Sequence, residues 1–164
     1  MLTKPRNHQK GILPTIDSRM YYGLFWEMGV GKTWVGCYLL DKHYTDSSKK
    51  FLILCPSGVI DTWYNEIQVH TDIDPEVVCK LQGPAAKRIK NLEDPRFSIY
   101  LLNYEGLRVC SPAITKKKFD IVICDESQKI KSHKAQQTKI AINLKSDKKY
   151  ILSGTPILND YRDI

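Results

Sequence analysis

Residues 25–34 read FWEMGVGKTW, and the reading of this stretch decides the fold. Its close, Gly31-Lys32-Thr33, matches the end of a phosphate-binding loop, G-x-x-x-x-G-K-[ST], yet Trp26 stands where that pattern has its first glycine. The flanks argue for the loop. Tyr21 to Trp26 reads as a short buried strand, and Lys32 to His43 reads as a helix after a glycine-rich turn. In such a strand, loop and helix unit, Gly29 and Gly31 let successive N–H groups turn towards phosphate oxygens at the helix N-terminus.

Outward from this unit the pattern repeats. The run 51-FLILC-55 is followed by an amphipathic stretch from Val59 to Val69, with Ile60, Trp63, Tyr64 and Ile67 at helical spacing. Val77-Val78 is a strand candidate, and Ala85 to Leu92 a short basic helix ended near Pro95. Ser98 to Leu102 and 119-FDIVIC-124 read as strands, Lys134 to Leu144 as a helix, and 149-KYILS-153 as a closing strand. This alternation predicts one α/β domain over residues 1–164, a parallel sheet with helices on both faces. In such sheets ligands sit at the carboxyl ends of the strands. The stretches Glu27 to Thr33, 125-DESQ-128 and 153-SGTP-156 all fall there, so they are expected to meet in one crevice.

Composition narrows the function classes. The chain has 164 residues, long enough for one domain with a proper core. Its longest apolar run is Phe51 to Cys55 and its first ten residues are polar and basic, so neither a membrane span nor a secretory signal is expected. A cytoplasmic setting, or a nuclear one in a eukaryote, follows as the expectation. Cys37, Cys55, Cys79, Cys110 and Cys124 form no C-x-x-C pair, and the histidines lack ligand spacing, so zinc and disulfide frameworks are not indicated. A formal charge of +7 suits a protein that meets phosphates. Much of that excess lies in Lys116 to Lys118 and Lys145 to Lys149, runs that on their own read as solvated loops.

The chemistry follows from the loop and the carboxylates. Glu27, Met28, Gly29, Val30, Gly31, Lys32 and Thr33 would cradle a nucleotide, with Lys32 on the terminal phosphates and Thr33 as a Mg²⁺ ligand. Asp125 and Glu126 end the apolar strand. Alone they read as a solvated strand end; beside a phosphate loop Asp125 becomes a direct or water-bridged Mg²⁺ partner, and Glu126 the group that orients and deprotonates the attacking water.

The chain resembles the first RecA-like lobe of a superfamily II helicase-like ATPase, of the Swi/Snf type that translocates on double-stranded DNA. The resemblance is carried by 26-WEMGVGKT-33 (motif I), 52-LILCPSGVIDTWYNEI-67 (motif Ia), 101-LLNYEGL-107 (motif Ib), 123-ICDESQKIK-131 (motif II) and 151-ILSGTPILN-159 (motif III), in the family's order. It implies a RecA-like P-loop fold, ATP with Mg²⁺, and DNA-stimulated hydrolysis. It further implies that Gln128, Ser153 and Thr155 relay nucleotide state, and that Ser57, Gly58, Asn103 and Tyr104 meet a DNA backbone. Pro56-Ser57-Gly58 reads equally as a turn that caps a strand and starts a helix. Asn7-His8-Gln9 resembles the adenine-recognition segment, with Gln9 either reading the adenine edge or simply solvated.

Two positions depart from the family. Trp26 replaces its usual aspartate, and packs under the loop or forms part of the pocket wall. Gln128 replaces its usual histidine and keeps the ability to donate and accept hydrogen bonds. The family hydrolyses ATP between two lobes, and the second, with its arginine finger, is expected to be supplied elsewhere. The alternatives are a lone, non-catalytic lobe that binds a nucleotide or a partner, and a small-molecule kinase, which the helicase order of the motifs disfavours.

Overall fold

The residues of 51-FLILC-55 are all fully buried, which a strand achieves only with cover on both faces of its sheet. The computed structural model describes residues 1–126 and 136–154 and supplies that cover. The chain runs α1 (Asn7–Ser18), β1 (Tyr21–Phe25), α2 (Lys32–His43), β2 (Phe51–Cys55), α3 (Ile60–His70), β3 (Val78–Lys80), α4 (Ala85–Glu93), β4 (Ile99–Asn103), α5 (Gly106–Ile114), β5 (Lys118–Asp125), α6 (Gln136–Asn143) and β6 (Lys145–Ser153). The strands form one six-stranded sheet in the order β1-β6-β5-β2-β4-β3, and every pairing is parallel.

Alternation along β2 divides the core. Phe51, Ile53 and Cys55 join Ile16 of α1, Val35 and Leu39 of α2 and Trp63 and Ile67 of α3 on one face. Leu52 and Leu54 join Leu92 of α4, Leu107 and Cys110 of α5 and Ile140 of α6 on the other. The expected α/β class, with a parallel sheet covered on both faces, is therefore what the chain adopts. The five cysteines are unpaired and buried, and burial pushes the thiols of Cys55 and Cys124 up to about 12. They behave as small core residues.

Three local readings change. α1 and α5 carry no clear helical signal in the sequence, because Pro14 and Pro112 lie inside them and proline argues against a helix interior. β6 begins at Lys145 rather than Lys149, so the whole of that lysine run is strand and not a solvated loop. It pairs with the start of β5, and Lys118 Nζ meets Asp147 Oδ1 at 2.7 Å across the two strands. Among the described residues no helix is long and apolar enough to cross a membrane.

Candidate active site

The parallel register brings the carboxyl ends of β1, β6 and β5 side by side. Phe25 is opposite Ser153, and Asp125 is opposite Leu152. Beyond the ladder, the Glu126 N–H donates to the Leu152 carbonyl at 2.8 Å. The loop after β1 closes the group: a Cβ on Gly154 would lie 3.4 Å from Met28 Cγ and 3.5 Å from Lys32 Nζ. The described residues of the three stretches, far apart in sequence, thus converge on one edge, as their strand-end positions predict.

The loop has the backbone that its glycines suggest. Gly29 and Gly31 hold φ of 79° and 90°, a left-handed region that other residues enter only at a cost. Gly31 is the residue before α2, so the helix N-terminus opens directly on the loop. Lys32 is buried, and its Nζ donates to the carbonyls of Trp26 (2.8 Å) and Glu27 (2.9 Å). The ammonium therefore bonds to the loop's own main chain. Trp26 packs against the core edge and sets its ring edge-on to His8 at 5.1 Å, while His8 Nε2 donates to the Val30 carbonyl at 3.0 Å.

Gln9 is not a solvated glutamine. It is 2% exposed, its Oε1 accepts from the Arg6 N–H at 2.7 Å, and its Nε2 donates to the Gly31 carbonyl at 3.0 Å. A Cβ on Gly31 would fall 2.5 Å from that Nε2, so a side chain there would push the Gln9 amide off its hydrogen bond, in addition to the strain of the positive φ. The amide braces the phosphate loop against α1 and also lines the cleft.

A cleft of about 620 Å³ runs along this edge, lined by Gln9, Gly29, Gly31, Lys32, Thr33, Asp125 and Glu126, and further by Thr3, Arg6, Trp34, Trp63 and His70. Asp125 is 8% exposed. Burial holds its carboxyl above the ordinary carboxylate range; the bond from Trp63 Nε1 to Oδ2 (2.8 Å) and the charge of Lys32 draw the other way without overcoming it. Glu126 has φ 51°, a backbone state that costs a non-glycine residue about 1 kcal/mol and tends to persist at functional positions. Among the described residues no group of three His, Cys, Asp or Glu could hold a metal by itself. The donors present, the Thr33 hydroxyl and the buried Asp125 carboxylate, fit Mg²⁺, which keeps most of its shell as water and phosphate oxygen.

The remaining predicted residues divide. Ser57 and Gly58 lie exposed in a 3₁₀ turn, Ser57–Val59, at the carboxyl end of β2. Asn103 ends β4, where its Oδ1 accepts from Arg88 Nη1 at 3.3 Å and its Nδ2 donates to Glu105 Oε2 at 2.8 Å. The Tyr104 side chain turns inward. It is 1% exposed, and its hydroxyl donates to the Asp125 carbonyl at 2.6 Å, so this side chain is not presented to a DNA phosphate. Ser153 is buried at the end of β6. Gln128 and Thr155 lie outside the described residues. The residue missed by sequence reasoning is Trp63. It falls on the apolar stripe of α3 with Ile60 and Ile67, and its one polar signal is that a buried indole N–H needs an acceptor.

A family profile described as "SNF2-related domain" matches residues 23–164. The DNA repair and recombination protein RAD54-like of Gallus gallus is 30% identical over 152 residues, which cover 82% of this chain and 20% of that protein. An uncharacterized ATP-dependent helicase of Mycoplasma genitalium is 33% identical over 141 residues, which cover 84% of this chain and 13% of the relative. The chain thus spans a fifth or less of these relatives. Among solved structures, the Sulfolobus solfataricus SWI2/SNF2 ATPase core in complex with dsDNA superposes over all of this chain and 35% of its own, with TM-score 0.79 and 22% identity. That likeness speaks for the fold.

Proposed function

The chain belongs to the SNF2-related family, and from this premise we propose that it is the first RecA-like lobe of a DNA-dependent ATPase that moves on duplex DNA. The observation that carries the reading is the convergence of the phosphate loop, Asp125-Glu126 and Ser153-Gly154 on one edge of the sheet, where the loop and the two carboxylates line one cleft.

On nucleotide binding, the N–H groups of the loop and the N-terminus of α2 receive the phosphates, and Lys32 exchanges its two main-chain carbonyls for phosphate oxygens. Thr33 and Asp125 would hold Mg²⁺, which supplies neutralisation of the phosphate charge. Glu126 orients the attacking water and takes its proton. Gln9, already bonded to the loop, links the adenine end of the cleft to the phosphate end. Exposed Ser57 and Gly58, together with Asn103, would position the lobe on a DNA backbone without reading sequence. A second lobe, supplied elsewhere, completes the site. Without its arginine finger turnover falls by about 10³ to 10⁵.

The test is a turnover assay on this chain and on a two-lobed version, each with and without duplex DNA. Near-background hydrolysis by the single lobe, with strong DNA stimulation of the two-lobed form, is expected. A two-lobed protein that binds ATP and shows no stimulated turnover would favour a non-catalytic binding module.

A further inference from the structure

We infer that Trp63 is a positioning residue for the metal side of the site: its indole N–H holds one oxygen of Asp125, so that the other is presented to the ion or its bound water. The inference rests on the Mg²⁺–nucleotide reading above.

Trp63 sits in the middle of α3 and is 1% exposed, yet it reaches the cleft and lines it. Its Nε1 donates to Asp125 Oδ2 at 2.8 Å, a buried bond between residues 62 apart in sequence. A core tryptophan can satisfy its N–H on any main-chain carbonyl, and this one uses a carboxylate placed where a cation is needed. The N–H occupies Oδ2 and so fixes the orientation of the carboxyl group.

The ring is itself held. A Cβ on Gly36 would stand 2.5 Å from Trp63 Cη2 and 3.0 Å from Cζ3, so α2 carries a bare backbone where the six-membered ring lies. α2 is the helix that opens with Lys32 and Thr33. The phosphate-binding helix and the metal-binding strand are therefore joined through one side chain. From the opposite face of the sheet, Tyr104 fixes the main-chain carbonyl of Asp125 at 2.6 Å. Backbone and carboxylate are pinned from both sides, and groups that orient a ligand in this way contribute about 10- to 100-fold to metal affinity.

Binding of a fluorescent ATP analogue to this chain, in EDTA and across a Mg²⁺ titration, tests the role. Two variants are compared with the parent: Trp63→Phe, and a protein with 3-benzothienylalanine at position 63, which keeps the ring shape and replaces N–H by sulfur. Affinity in EDTA is expected to stay within about twofold, while the Mg²⁺ concentration for half-maximal tightening rises by about 10-fold in both variants. If Trp63→Phe does not fold, the sulfur isostere decides. An unchanged Mg²⁺ requirement in the isostere, or an equal loss of affinity in EDTA and in Mg²⁺, overturns the inference and leaves Trp63 as packing alone. A parent chain that binds no nucleotide removes the ATP-site reading and this inference together.

Discussion

Strand β5 carries an aspartate near each end, and the two are treated in opposite ways. Asp120, at the amino end, is partly buried, yet the Lys50 N–H at 2.8 Å and the Lys49 ammonium at 2.9 Å more than offset burial and hold its carboxyl below the usual range. Asp125, at the carboxyl end, is held above that range by burial despite the Trp63 N–H. One edge of the sheet closes on itself. The other keeps a buried anion and a buried ammonium, Lys32, bonded to main-chain carbonyls. The charge of Asp125 is thus held at a cost that burial imposes, a cost that a bound cation would offset.

The largest effect that could break this contrast concerns the ammonium. Lys32→Ala should weaken ATP binding by about 100-fold, the loss of a charge-assisted contact worth about 2.7 kcal/mol. Glu126→Gln should spare binding, because that residue acts on water. Titrating labelled ATP into both variants checks the assignment, and equal losses would mean that the roles are exchanged or absent.

Next in size is the support beneath the carboxyl edge. Gly36→Ala forces a methyl into Trp63 and, at 3.5 Å, against Leu152 Cδ1, an overpacking expected to cost about 1 to 3 kcal/mol. Chemical denaturation reads it. A loss below about 0.5 kcal/mol would show that the ring yields easily, and would weaken the picture of a fixed indole.

A smaller effect sharpens the amino end. Asp120→Asn should destabilise the protein by about 1 kcal/mol at neutral pH. The sign follows from a folded-state pKa lowered below its unfolded value: the contribution is complete above the ordinary carboxylate range near 4 and is lost as pH falls through the lowered folded value. Denaturation midpoints of parent and variant should therefore converge in acid. Curves that stay parallel from pH 7 to strongly acidic pH would separate Asp120 from any charge-based role.

How much of this was legible in the sequence depended on whether burial left a pattern. β2 could be bounded to the residue, because burial on both faces demands the unbroken run Phe51 to Cys55. α2 was equally clear from the glycine turn and the apolar residues after it. α5 was hidden, since Gly106 and Pro112 within nine residues read as breakers. The first half of β6 was hidden by lysines that look like a loop until Asp147 is seen to meet Lys118 across the ladder. In the site, Lys32, Thr33, Asp125 and Glu126 were named by type and spacing, and they line one cleft. Trp63 and Tyr104 were not legible in their present roles. Each is an aromatic on an apolar stretch, and the hydrogen bond that each gives to Asp125 depends on β5, which comes from elsewhere in the chain.

The central claim, that the carboxyl edge is left electrostatically incomplete for a magnesium nucleotide, is tested most directly by thermal unfolding of the parent, Asp120→Asn and Asp125→Asn, each with and without Mg²⁺ and a non-hydrolysable ATP analogue. Removing the buried charge should raise the stability of the ligand-free Asp125→Asn protein by about 1 kcal/mol and abolish the Mg²⁺-dependent part of the ligand-induced rise. Asp120→Asn should unfold earlier and keep the whole rise. A destabilised Asp125→Asn protein that retains the full Mg²⁺-dependent shift would contradict the account.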